Sequence, residues 1–454
     1  MLVAGKRFIV VGLGVTGRAC AKFLSGGGAD VSVTDVREDL SGVADAIEEI
    51  RANGAGFITP DAVCNERFDA LVLSPGLAPD DPRVEPLIAA AGEWMSEIEL
   101  AYRLSTGKIL AITGSNGKTT VTTLLGDILK AGFDDVRVVG NIGNTFIESI
   151  AGSDEKTMFV AEISSYQLEG CFEFKPDVAI VLNVQPDHLL RHGTMENYAD
   201  VKSRILMNMD SNGAAVLNAD DMYVKEMGSR TRAKVLMVGT EGKRSPGGWV
   251  EGDRLMISVQ GKDMQVGRTG EMNLKGGHNL FNALSASIAA YLAGVPVEKI
   301  SGVISGFTGL EHRIESIGEV NEVECVDDSK ATNPDASIAA LKTYGGRDIT
   351  ILLGGDDKGF DYGLLYEEIG KAGARVIVFG PGLMRVAEEI ERENMVECKR
   401  AAGMKEAVAL GLEITPAGGV LLLSPGSSSF DSYRNFEERG KDFKSEVGKK
   451  KKTS

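Results

Sequence analysis

The sequence predicts an α/β protein in three successive units, and three observations carry that reading. Apolar strand-like runs recur along the chain, each ending in small or polar residues. Helical stretches alternate with them, which is the pattern of mostly parallel sheets. Two breaks in composition, the Pro- and Asp-rich "LAPDDPRVEP" and the Gly-rich "SGFTGLEHR", interrupt the alternation. The expected boundaries are 1–96, 97–308 and 309–454.

The first unit opens with the buried-strand run "RFIVVGLG", a helical "TGRACAKFLSGGG" and a second strand ending at Asp35. "FDALVLSPG" gives a further strand that breaks at Ser74. The second unit begins after a helical "EWMSEIELAYRLS" with "ILAITGSNGKTT". It continues through strands at "MFVAEIS" and "DVAIVLNV" and closes with the helix "HNLFNALSASIAAYLAG". The third unit carries strands at "ECVDDS", "DITILLGG", "RVIVFG" and "GVLLLSPG". The terminal "GKKKKTS" reads as a solvated, disordered tail.

Composition narrows the function classes. A net charge of −16 over 454 residues argues against a nucleic-acid surface, because a phosphate backbone would be repelled. No run reaches transmembrane length, so membrane insertion is not expected. The five cysteines are scattered without a C-x-x-C pair, which suits reduced cytosolic thiols.

The chemistry-bearing motifs follow. "GLGVTG" with Asp35 fits a dinucleotide fingerprint, but equally a mononucleotide or sugar-nucleotide pocket or tight helix–strand packing. "TGSNGKTT" is a phosphate loop whose first glycine, Gly114, stands two positions later than the usual spacing from Gly117. Backbone N–H groups of Gly114, Ser115, Asn116, Gly117, Lys118, Thr119 and Thr120 at a helix start would cradle phosphates. Lys118 would neutralise phosphate charge and Thr119 would face a magnesium ion. Glu162 and His188 each follow a strand and are candidate magnesium neighbours, His188 alternatively as a hydrogen-bonding residue. Lys202, on composition alone, is a surface lysine. His278 and Asn282 stand four apart near a helix start, where nucleotide contact, capping and packing are all open. In the third unit, Lys330, Lys358 and the Ser427–Ser429 loop follow strand ends and suit the carboxylates of a small acidic substrate.

Taken together, "TGSNGKTT", "AEISSYQLE", "NVQPDH", "GGHNLFNALSA", "HRIE" and "DDSKATN" resemble the Mur ligases, ATP-dependent amino-acid-adding enzymes of peptidoglycan assembly, through nearly the whole chain. The displaced Gly114 is that family's own loop form. The N-terminal "GLGVTG" and "SPG", and the C-terminal "SPGSSSFDSYRNFEERG", are most similar to the D-glutamate-adding branch. The resemblance implies a Rossmann-like first domain, a P-loop ATPase-like second domain and a Rossmann-like third. It implies a cytoplasmic, monomeric enzyme using ATP and Mg2+ to join UDP-N-acetylmuramoyl-L-alanine to D-glutamate. Lys118, Lys202 and His188 would be catalytic. Asn279, Asn282, Arg313 and Asp328 would join the loop on ATP. Val15, Thr16, Arg37, Ser74, Asn141 and His188 would hold the uridine-linked substrate. Lys330, Thr332, Lys358, Ser429, Phe430 and Phe436 would hold D-glutamate. Thr119, Glu162, His188 and a carbamylated Lys202 would surround metal, which reverses the composition-based reading of that lysine. Phe430 and Val36 depart from the residues the family pattern leads one to expect. The alternatives are a sibling ligase adding another amino acid, an NAD-dependent oxidoreductase built on "GLGVTG", and a non-enzymatic ATP-binding module. The last two leave the phosphate loop or the lysine-bearing loops without a role.

Overall fold

The apolar runs become strands buried on both faces, as parallel sheets covered by helices require. A computed structural model describes residues 3–37, 39–272, 276–357, 360–393 and 396–451. By its internal contacts the chain forms two compact units, 1–270 with 281–305, and 271–280 with 306–454.

The first unit contains two sheets. The N-terminal sheet is all parallel, in the order Gly56–Phe57, Asp30–Thr34, Arg7–Val11, Phe68–Leu73, Ala91–Met95. The second has nine strands. Its order is Lys262–Arg268, Arg254–Val259, Gly247–Glu251, Lys234–Val238, Ala214–Asn218, Val178–Val181, Lys108–Thr113, Met158–Glu162, Val136–Gly140. The pairing is parallel from Val136–Gly140 through Gly247–Glu251, and the two remaining strands form antiparallel hairpins at one edge. The phosphate-loop strand Lys108–Thr113 lies inside this sheet, so its carboxyl end opens between two neighbours.

The second unit is one six-stranded sheet, ordered Glu315–Val320, Val323–Asp327, Val420–Gly426, Ile349–Gly354, Arg375–Phe379, Cys398–Ala401. Only the first of these strands runs antiparallel to its neighbour.

Two expectations need correction. "EWM" is not helical: Ala91–Met95 is an edge strand, and the helix Glu97–Leu104 starts only after Ser96, whose hydroxyl accepts the Glu99 N–H at 3.3 Å. An S-x-x-E start favours that boundary. The basic tail is also ordered further than its composition suggests, since the helix Phe436–Lys451 runs through it. Lysines at a helix carboxyl end complement the exposed carbonyls. Here Lys451 Nζ also donates to Ile317 O at 2.8 Å, and Lys444 pairs with Glu315 at 2.7 Å.

The helix Glu97–Leu104 joins the two sheets of the first unit through buried carboxylates. Glu99 accepts the backbone N–H groups of Phe172, Glu173 and Phe174 at 2.9–3.0 Å and the Arg103 guanidinium at 2.8 Å. Glu97 accepts the Ile147 N–H at 2.6 Å with no cationic partner among the described residues, and burial pushes its carboxyl up to about 7. A folded-state value above the unfolded one means the native chain holds an extra proton between roughly pH 4 and 7. The stability contribution of Glu97 is therefore present below that window and lost as pH rises through it. Glu97→Gln should flatten this part of the urea-unfolding profile between pH 4 and 7, and an unchanged slope would remove the argument.

Candidate functional site

The phosphate loop is built by two glycines and one distant asparagine. Gly114 has φ 153° and Gly117, which caps the helix Lys118–Lys130, has φ 88°. Side chains are disfavoured at both angles. A Cβ on Gly114 would also meet Leu182 Cβ at 2.9 Å, and one on Gly117 would approach Asn282 Oδ1 at 3.1 Å. The loop needs glycine where the backbone turns and where neighbours press, which accounts for the position of Gly114. Asn183, at the end of the adjacent strand, then clamps Asn116. The Asn116 N–H donates to Asn183 Oδ1 at 2.8 Å, and Asn183 Nδ2 donates back to Asn116 O at 3.0 Å. Ser115 Oγ accepts the Gln185 N–H at 2.9 Å and lies 3.2 Å from Tyr198 OH. The helix start thus presents its first-turn N–H groups as an anion site.

Two lysines meet on one carbonyl of this loop. Lys118 Nζ donates to Gly114 O at 2.8 Å and to Ser115 O at 2.9 Å. Lys202 Nζ donates to the same Gly114 O at 2.9 Å. Lys202 comes from the helix Met195–Ser203 and is 1% exposed, so it is no surface lysine. Its ammonium lies 4.4 Å from the Tyr198 ring centre, one helical turn earlier. Burial, and secondarily the charge of Lys118, hold it well below the ordinary lysine value.

Glu162 ends the neighbouring strand Met158–Glu162 and is buried. Its Oε1 accepts Asn141 Nδ2 at 2.8 Å, while its Oε2 has no hydrogen-bond partner among the described residues. A buried carboxylate oxygen left in that state is costly unless a cation or donor meets it. Thr120 is buried with its hydroxyl likewise unpartnered, and Thr119 is half-buried beside it. His188 is partly exposed, in a left-handed conformation at φ 56°, with Nδ1 3.0 Å from Tyr166 OH and Nε2 3.4 Å from Asp187. His192 is buried against Ser165 Oγ at 3.0 Å and stacked on Tyr198 at 5.1 Å. Burial pulls its imidazole down to about 4, so it packs as a neutral ring at pH 7.

The glycine-rich turn of the N-terminal sheet leads into the helix Val15–Gly26, with Val15 exposed and Thr16 half-buried. Asp35 accepts the Leu13 N–H at 2.9 Å, and Arg37 forks onto both oxygens of Asp35 at 2.8 and 2.6 Å. Asp35 is thereby buried, with both carboxylate oxygens engaged by the chain itself. Ser74 Oγ, beside this turn, is buried without a hydrogen-bond partner among the described residues.

In the second unit, Lys330 and Phe436 pair as cation and ring at 4.9 Å, and Lys330 N donates to His312 O at 3.0 Å. Thr332 is half-buried, Ser429 buried and Phe430 69% exposed, while Lys358 lies outside the described residues. His312 Nδ1 is 2.7 Å from Asp327 Oδ2. Asp328 accepts Ser424 Oγ at 2.7 Å, and burial pushes its carboxyl up to about 7. Arg313 and Asn279 also belong to this unit, Arg313 half-buried and Asn279 buried. Sequence reading missed Arg439, which is fully buried and ties three loops together. It donates to Ser329 Oγ at 3.0 Å, Ser329 O at 2.8 Å, Gly354 O at 3.0 Å and Ser427 O at 3.0 Å. Its signal in sequence was only an arginine in the quoted C-terminal motif.

Fold and loop together define a nucleotide-binding α/β protein of the phosphate-loop class. The profile of the Mur ligase middle domain matches residues 112–290. That of the Mur ligase MurD-like N-terminal domain matches 6–96, and that of the Mur ligase glutamate ligase domain matches 312–426. The UDP-N-acetylmuramoylalanine–D-glutamate ligase of Pelotomaculum thermopropionicum is 37% identical over 97% of this chain and 96% of its own. That of Clostridioides difficile is 36% identical over 98% and 99%. Among solved structures, the MurF ligase of Thermotoga maritima in complex with ADP shares the fold at a TM-score of 0.59, with 20% identity over 98% of this chain and 96% of that one. The chain belongs to the Mur ligase family.

Removing Arg439 strands four acceptors in the interior. Arg439→Met should lower unfolding free energy by about 3–5 kcal/mol, with Arg439→Lys recovering only part because an ammonium cannot span the same fork. Urea denaturation checks this, and a loss no larger than that of a surface substitution would refute the role.

Proposed function

We propose that this chain joins D-glutamate to UDP-N-acetylmuramoyl-L-alanine, using ATP, as a cytoplasmic step of peptidoglycan precursor synthesis. The observation that carries the reading is the end-to-end likeness, at 36–38% identity, to relatives bearing that ligase's name. Local chemistry supports it. A carboxylate is a poor electrophile, so the alanyl carboxylate first takes the γ-phosphoryl group of ATP and ADP leaves. The amine of D-glutamate attacks the acyl phosphate, and the tetrahedral intermediate expels phosphate as the amide forms.

Lys118, placed at the loop, offsets the repulsion between the two anions and orients the phosphates. Gly114 to Thr120 and Asn282 line the nucleotide end. The unpartnered Glu162 Oε2 fits a divalent cation, and Thr119, Glu162, His188 and Lys202 are the residues that would hold Mg2+. When bound, Mg2+ supplies further positive charge against the phosphates. Lys202, held toward its neutral amine, can add CO2 and lose a proton to become a carbamate anion. Val15, Thr16, Arg37, Ser74 and Asn141 would take the uridine-linked substrate. Lys330, Thr332, Lys358, Ser429, Phe430 and Phe436 would take D-glutamate. The glycine-rich turn then serves a sugar nucleotide, and the NAD-dependent reading is not favoured.

Purified protein should release phosphate from ATP only when UDP-N-acetylmuramoyl-L-alanine and D-glutamate are both present. Equal turnover with L-lysine, or none with D-glutamate, would refute the assignment. Lys118→Ala should lower ADP formation by about a thousandfold. Lys202→Ala should also be inactive, and partial recovery in acetate or formate is expected if a carbamate is the working group.

A further inference from the structure

The nine-stranded sheet has a second concavity, at the end opposite the phosphate loop. The strand Lys108–Thr113 delivers Thr113 to the loop at its carboxyl end; its amino end, Lys108, stands at the mouth of a cavity of about 430 Å³. Ligand pockets generally span roughly 300–1,000 Å³ with apolar walls and few polar groups. This cavity has that make-up. Leu110, Val178 and Leu236, from three strands, are buried apolar residues of its lining, and Met158 joins them from a fourth.

The charges at the mouth select the ligand. Lys108 and Lys234 are exposed and line the cavity, and neither ammonium has an ion-pair or hydrogen-bond partner among the described residues. The one carboxylate of the lining, Asp177, already accepts the Ile109 N–H through Oδ2 at 2.8 Å. Two cations against one anion leave a single net positive charge over an apolar interior. We infer that this cavity is a binding site for an amphiphilic monoanion, its acid group drawn to the rim by the net positive charge that Lys108 and Lys234 leave there and its hydrocarbon body against Leu110, Val178 and Leu236. Such a site is separate from the nucleotide loop, because the two lie at opposite ends of the same strand.

Decanoate is a suitable probe, read by 13C-methyl-methionine NMR. The Met158 methyl signal, assigned by its loss in Met158→Leu, should shift saturably with decanoate and persist in doing so when ADP is present. The uncharged 1-decanol should bind more weakly. Lys108→Glu combined with Lys234→Glu, both surface changes, should weaken decanoate by about tenfold. A Met158 signal that does not move would overturn the proposal. So would equal affinity in the doubly substituted protein, or displacement of decanoate by ADP.

Discussion

The site of this protein depends on one crowded contact, the carbonyl of Gly114 receiving two lysine side chains at 2.8 and 2.9 Å. Like charges so close would repel, and burial of Lys202 makes its charged form more costly still. The arrangement persists because the Tyr198 ring faces the Lys202 ammonium and because the loop carbonyl is fixed. It is fixed by Gly114 and Gly117 turning where side chains cannot, and by Asn183 gripping Asn116 from the next strand. The result is two lysines on one carbonyl, of which Lys202 is held toward its neutral amine by burial.

The surrounding groups follow the same economy of charge. Glu162 is buried with one oxygen spent on Asn141 and one unspent. His192 is kept neutral by burial, so it adds bulk beside Tyr198 and no competing cation at pH 7. A chain with a net charge of −16 draws anionic substrates only where cations are gathered locally. Lys118 puts a positive charge at the loop of the first unit, and Lys330 puts one beside Phe436 in the second.

Much of this was legible in the sequence because the phosphate loop is a local device: strand, glycine turn, lysine and helix are consecutive. The strand ends bearing Glu162 and Asp327 were visible for the same reason. What escaped was set by residues far apart in the chain. Lys202 is a surface lysine on composition alone; only the family resemblance singled it out, because its contact is with a carbonyl 88 positions away. Asn183 and Arg439 act through partners up to 110 positions distant. The edge strand Ala91–Met95 has helix-compatible composition and is decided by pairing with Phe68–Leu73. The lysine-rich carboxyl end reads as disordered because its partner, the Ile317 carbonyl that Lys451 meets, belongs to a strand more than a hundred residues earlier.

The protonation of Lys202 is the most direct test. In protein carrying 13Cε-lysine, with Lys202→Met assigning the signal, a pH titration in CO2-free buffer reads the amine itself. The account predicts a midpoint well below the ordinary value of about 10.4, with the neutral amine already populated at the pH where surface lysines are fully charged. A midpoint near the ordinary value would contradict it, and with it the division of labour between the two lysines.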